Sequence, residues 1–238
     1  MSIKNIFCGY FFLVSVFAVA QNLAIEYKYS IVDNKDEYGL AGFGYNKLIT
    51  NNKESISYSK SIDTLFTVDV LGDFSQTASN YAISEYKNLS EKIYYSKTLF
   101  PNYLLKDDSY TINWTLVNQY KDILGYKCQK ATSDFRGRSY EAYFTTEIPI
   151  RNGPYKFDGL PGLVLEVNST DGAVSYKAVN ITEVSQQIEN PFTNLQYISW
   201  EQFKKAYNDY FHRMINYMPE ENMSIIVPNR GIEYYITD

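Results

Sequence analysis

Thiol and imidazole chemistry is scarce in this 238-residue chain, which carries two cysteines and one histidine. Cys8 falls in an N-terminal apolar run, so a nucleophilic Cys–His pair would have to unite Cys128 with His212. His212 lies in a helical pattern, turned away from the apolar stripe of its helix, and is expected to face solvent. Cys128 has two readings: a small buried residue without reactivity, or a thiol whose pKa Lys127 or Lys130 lowers, open to oxidation or to a partner. Arg136 and Arg138 flank Gly137 at a hairpin tip, with Asp134 and Glu141 nearby. Two guanidinium groups on a tight turn could clamp a carboxylate or phosphate; a solvated turn would use them only for local charge pairing. Arg136, Arg138 and Cys128 are therefore the candidate binding residues.

No catalytic residue, cofactor-binding residue or metal-ligand set emerges from spacing. C-x-x-C, H-E-x-x-H, the EF-hand loop and the G-x-S-x-G elbow are all missing. GLAGFG, with Gly39, Gly42 and Gly44, lacks the spacing of a phosphate-binding turn and reads as plain loop. Asp107-Asp108 and Glu220-Glu221 are adjacent carboxylates, which in a strand point to opposite faces and make poor acid–base pairs. No cofactor is expected. A surface calcium held by scattered oxygens stays open.

The elements that must position these residues are mostly strands. Leu23–Ile31 alternates apolar and polar residues, and Tyr45–Thr50 with Ser55–Lys60 reads as a hairpin around Asn51-Asn52. Further strand patterns cover Asp63–Val70, Glu91–Tyr95, Tyr110–Asn118, Tyr126–Thr132, Ser139–Thr145, Leu163–Val167 and Val174–Glu183, with short runs at Ser224–Val227 and Ile232–Ile236. Too little helix separates them for parallel crossovers, so the sheet should be antiparallel. Ser199-Trp200-Glu201-Gln202 is a capping box. It opens an amphipathic helix whose stripe runs from Trp200 through Phe203, Tyr207, Tyr210, Phe211 and Met214 to Met218, ending at Pro219. The expected fold is mainly β with one α: a single large, curved, half-barrel-like antiparallel sheet, with the C-terminal helix packed on its concave face. The 24 tyrosines against 14 phenylalanines suit half-buried strand positions, ring inward and hydroxyl at water.

Gly153 to Val167, GPYKFDGLPGLVLEV, is the most punctuated stretch. Leu160-Pro161-Gly162-Leu163 has the composition of a type II turn, proline at i+1 and glycine at i+2. Gly153-Pro154 marks an earlier break and Gly159 a further one. Leu163, Leu165 and Val167 then share one strand face. This string resembles the signature of the GLPGLI family, secreted proteins of Bacteroidetes-type bacteria with no assigned biochemical role. The likeness extends upstream through INWTLVNQYKDILGYKCQKATSDFRGRSYEAYFTTEIPI. It implies a compartment and a fold, with Gly153, Pro154, Gly159, Leu160, Pro161, Gly162 and Leu163 as mainly structural motif residues.

Residues 1–20 read as a cleaved signal peptide: Lys4 in the n-region, an apolar run from Ile6 to Phe17, and Ala18-Val19-Ala20 before Gln21. Residues 21–238 then form one β-rich domain, exported to the periplasm or secreted, or peripheral to the outer membrane. No second apolar run reaches the ~20 residues of a membrane span. The formal charge of −5, one unit more negative without Lys4, argues against nucleic acid and against a polybasic membrane anchor. Loss of Cys8 leaves Cys128 without an intramolecular disulfide partner. Two functions fit: a non-catalytic envelope protein that binds an apolar ligand or an envelope partner, or a hydrolase using dispersed carboxylates and tyrosines.

Overall fold

The computed structural model describes residues 22–32, 41–61, 81–98, 103–217 and 231–233. The signal segment and the strand patterns at 63–70 and 224–227 lie outside them. Twelve strands follow in order: β1 (Asn22–Val32), β2 (Ala41–Thr50), β3 (Glu54–Ser61), β4 (Ala82–Asn88), β5 (Ile93–Lys97), β6 (Leu104–Asp107), β7 (Thr115–Ile123), β8 (Tyr126–Phe135), β9 (Arg138–Thr145), β10 (Leu163–Ser169), β11 (Val174–Val184) and β12 (Ile198–Ser199). They form one open sheet ordered β12-β6-β5-β4-β3-β2-β1-β11-β10-β9-β8-β7. Every pairing is antiparallel except β12 with β6. Among the described residues, the mainly-β fold with one helix expected from the sequence is the one observed.

Several local expectations are corrected. Gly42 and Gly44 belong to β2 rather than to a loop, and a Cβ at position 44 would meet the Lys60 carbonyl and the Tyr29 ring. The strand expected at Tyr110–Asn118 begins only at Thr115, because Tyr110 and Trp114 are spent on side-chain anchoring to Asp158. β4 and β6 are additional strands: β4 turns Glu85 and Lys87 inward and β6 is short, with Asp107 beside Leu105 on its inner face, so hydrophobic alternation does not reveal them. Residues 231–233 are not strand.

The hairpins β7–β8 and β8–β9 turn through Leu124-Gly125 (φ 52° and 84°) and Arg136-Gly137 (φ 44° and 87°). Two consecutive positive φ values match the right-handed twist of the flanking strands. Helix α1 (Trp200–Ile215) starts at the expected capping box: the Ser199 side chain accepts from the Gln202 N–H at 3.2 Å, and the Gln202 Oε1 accepts from the Ser199 N–H at 2.9 Å. Trp200, Phe203 and Tyr207 bury against Leu105 of β6, so the helix closes that end of the sheet.

The main core lines one face of β1, β11, β10, β9 and β8. A smaller one joins Ala24, Ile49, Ile56 and Tyr86 on the opposite face to Ile188 and Phe192. Across β1 to β6 the inner face carries two cross-strand rows. One runs Ile25, Leu48, Ser57, Glu85, Ser96, Leu105; the other Leu23, Thr50, Ser55, Lys87, Tyr94, Asp107. Both rows pass from apolar residues on β1 to polar and charged ones on β3 and β4; at β6 one ends on Leu105, packed against α1, and the other on Asp107.

Candidate functional site

What covers these polar rows is the punctuated segment itself. Between β9 and β10, residues 146–162 fold back over the inner face. Their backbone closes on itself in successive three-residue turns: Ile150 N–H to Ile148 O, Asn152 to Ile150, Asp158 to Lys156, and Gly162 to Leu160, all at 2.8–2.9 Å. The last corrects the type II expectation. Gly162 has no positive φ, and the turn centres on Pro161. Glycine stands there because an added Cβ would lie 2.0 Å from the Thr145 carbonyl oxygen; at Gly153 it would lie 2.4 Å from that of Phe157 and 2.7 Å from Val164 Cβ. β10 is consequently buried on both faces, Glu166 included, where Lys121 pairs with it at 2.6 Å.

Side chains of this segment engage the polar rows. Asn152 donates to Thr50 Oγ1 at 2.8 Å, and Lys87 Nζ donates to Asn152 Oδ1 and, at 2.7 Å, to Gly153 O. Asp158 accepts from Tyr110 at 2.8 Å and its carbonyl from Trp114 Nε1 at 2.9 Å, with Lys92 at 3.6 Å. Lys156, Asp107 and Glu233 each have fully buried side chains, and Lys156 Nζ lies 2.7 Å from both carboxylates. Arg136 bridges the same two, at 2.6 Å to Asp107 and 2.8 Å to Glu233. Tyr155 donates to Glu233 at 2.8 Å. Arg136 also lies over the Trp200 ring at 4.0 Å and Lys156 at 4.7 Å, which ties α1 to the cluster.

Burial alone would push the Asp107 carboxyl up, but the Arg136 hydrogen bonds and the Lys156 charge outweigh it and hold the group well below the usual carboxylate range. The same carboxylates, against the desolvation cost, keep Arg136 more firmly protonated than usual. Two cations face two anions, with hydrogen bonds filling the remaining directions. Such a set orients chain segments, its charges spent on one another. Deeper in the same face, burial raises the Glu85 carboxyl above its ordinary value and lowers Lys87 to about 8.

The sequence candidates resolve as follows. Arg136 and Arg138 do clamp carboxylates, but intramolecular ones, which corrects the picture of a solvated turn: Arg136 takes Asp107 and Glu233, and Arg138, with a side chain 3 % exposed, takes Asp171 and the Gly231 carbonyl. Cys128 is wholly buried in β8, and burial pushes its thiol up to about 11. The direction is opposite to the lowering expected from Lys127 or Lys130: desolvation comes first, and the lysine charge that partly offsets it is that of Lys121. His212 is exposed. Asp107 is buried and Asp108 exposed, as alternation requires. Glu220-Glu221 lie outside the described residues. Lys87, Lys156, Asp158 and Glu233 escaped the sequence reading. The available signal was Lys156 and Asp158 alternating inside an otherwise apolar, glycine-punctuated stretch.

Outside this interior, a cleft of about 350 Å³ opens at one end of β7, β8 and β9, lined by Asn113, Thr115, Thr132, Ser133, Asp134, Ser139, Tyr140 and Thr170. Its lining is hydroxyl, amide and carboxylate. Ser139 Oγ donates to Asp134 Oδ1, which orients that carboxylate at the rim. Tyr140, 1 % exposed, is also among the lining residues; its ring packs in the main core and its hydroxyl donates to the Ile232 carbonyl. Among the described residues no group of three or more His, Cys, Asp or Glu is placed to hold a metal, and no helix is long and apolar enough to cross a membrane.

Residues 45–203, more than half of the chain, match the family model described as N-glycanase peptide, N-terminal domain. No curated protein sequence matches the chain. Two solved structures of PNGF-II, in space groups P21 and C2, share the fold. The first superposes with TM-score 0.52 at 15 % identity over 79 % of this chain and 33 % of its own; the second with 0.51 at 17 % over 79 % and 32 %. The chain thus spans about a third of the length of PNGF-II.

Proposed function

The chain belongs to the N-glycanase peptide N-terminal domain family, and from that premise we propose that it is an exported, non-catalytic recognition domain whose polar cleft binds a glycan. The lining of the cleft carries this reading: an amide, a carboxylate and five aliphatic hydroxyls around about 350 Å³. Vicinal hydroxyls of a sugar both donate and accept, as Ser, Thr and Asn do, and Asp134 supplies a strong acceptor. The absence of a cation in the lining disfavours phosphate or carboxylate ligands. The polar walls shift the ligand class from the apolar molecule expected from aromatic content to a hydrated, polyhydroxylated one. A non-catalytic role is supported by the saturated ion pairs of the interior, where Asp107 has no proton to give. The family's description as N-glycanase peptide, N-terminal domain is what links the cleft to glycans; in this reading the chain is an accessory part that presents or retains glycosylated partners in the envelope. The GLPGLI-type signature and the leader-like residues 1–20 support export.

Titration calorimetry with a released N-glycan tests the reading. Binding of the unaltered chain, weakened about tenfold or more by Asp134→Ala, is the expected outcome. Absence of binding, or release of glycan from a glycoprotein by the purified chain, contradicts it.

A further inference from the structure

Residues Gly231, Ile232 and Glu233 sit against the fold as a ligand sits in a receptor. Among the described residues they pair with no strand, and their backbone bond to themselves is Gly231 N–H to Glu233 O at 2.9 Å. The other hydrogen bonds that hold them, among the described residues, come from side chains distant in sequence. Arg138 Nη2 donates to the Gly231 carbonyl at 3.0 Å and the Tyr140 hydroxyl to the Ile232 carbonyl. Ile232 enters the main core. Glu233, fully buried, receives Lys156 at 2.7 Å, Arg136 at 2.8 Å and Tyr155 at 2.8 Å. Two main-chain carbonyls, one apolar side chain and one carboxylate are each read separately, which is how an extended peptide is recognised. Without Glu233, fully buried Lys156 and half-buried Arg136 would keep Asp107 as their one salt-bridge carboxylate among the described residues, with Glu85 reaching Lys156 through its charge alone. A buried imbalance of that kind calls for an incoming carboxylate.

We propose that Arg136, Arg138, Tyr140, Tyr155 and Lys156 form a receptor site for an acidic peptide of apolar–Glu sequence, occupied in this state by the chain's own Ile232-Glu233 and able to exchange it for the same motif on a partner. The carbonyl contacts of Arg138 and Tyr140 specify a peptide over a free carboxylic acid. Tyr140 is shared with the lining of the cleft, yet the site does not depend on what the cleft binds.

The probe is a fluorescein-labelled peptide Asn-Arg-Gly-Ile-Glu-Tyr-Tyr, copied from residues 229–235, beside a version with Gln in place of Glu. Against the full chain carrying Glu233→Gln, the Glu peptide should bind about tenfold or more tighter than against the unaltered chain, and the Gln peptide should bind neither. Trp200 fluorescence should report the event, since Arg136 and Lys156 lie over its ring. If the Glu233→Gln chain does not fold alone, excess Glu peptide during refolding should restore the native Trp200 signal, and Gln peptide should not. Equal binding of the two peptides, no binding to a folded Glu233→Gln chain, or failure of both peptides to rescue an unfolded one would overturn the proposal.

Discussion

At the scale of single residues, partners make the buried charges tolerable. Lys156 without its ammonium would leave Glu233 and Asp107 with one cation between them. Lys156→Met should therefore cost about 3–5 kcal/mol, measured by urea unfolding, whereas truncating exposed Lys204, paired with Glu201 on the helix surface at 3.1 Å, should cost well under 1 kcal/mol. Asp107 adds a pH dependence. Its folded pKa lies below the ordinary 3.8, so its stabilising contribution is complete above that value and is lost as pH falls below it. Asp107→Asn should lower stability at pH 7 and flatten the acid limb of the stability curve below about pH 4; an unchanged acid limb would place the charge linkage elsewhere. Lys87 gives a slope of the same sign in a higher pH window, but its lowered pKa reports a buried charge that costs stability rather than one that supplies it. Its folded pKa is depressed from 10.5 to about 8, so the unfolded chain binds the extra proton between those values, and stability should rise as the solution passes pH 8. That rise should vanish in Lys87→Met.

At the scale of elements, the punctuated segment and its strand explain how these charges reach the interior. Gly162 and Gly153 let the backbone approach Thr145 and Phe157 closer than any Cβ permits, which brings Asn152, Lys156 and Asp158 down onto the polar rows of β3 to β6. Gly162→Ala should destabilise by about 3 kcal/mol or more, since the obstacle is backbone and cannot swing away. Ser199→Ala, removing the cap of α1, should cost only about 1 kcal/mol. How much of this was legible varied with the signal. Strands β1, β2, β3, β8, β9, β10 and β11 follow apolar alternation or flanking turn residues and were readable, as was α1 down to its capping box. β4 and β6 were not, because Glu85 and Lys87 point inward and invert the pattern that marks a strand in β4, and β6 is short, with Asp107 beside Leu105 on its inner face. The proline–glycine turn was legible as a turn but not as a type. Composition alone cannot distinguish a glycine needed for positive φ from one needed for close approach.

At the scale of the whole molecule, an open sheet of twelve strands must manage two edges. β12 and α1 cover one, leaving Ser199 and Trp200 at the join. At the other, β7 is mostly exposed and carries a register shift between Val117 and Tyr120, which breaks the regular ladder that another strand would extend. The cleft lies beside this second edge, where Thr115 of β7 and Thr132 of β8 pair across the ladder. None of that was visible in the sequence. Its lining comes from four short stretches of polar residues, each of which alone reads as solvated surface.

The central claim is that this cleft recognises sugar. Amide chemical-shift mapping on the isotopically labelled chain, titrated with a released N-glycan, tests it most directly. Shifts should concentrate on Asn113, Thr115, Thr132, Asp134, Ser139 and Thr170, saturate with ligand and disappear in Asp134→Ala. No shifts, or shifts confined to residues away from β7, β8 and β9, would contradict it.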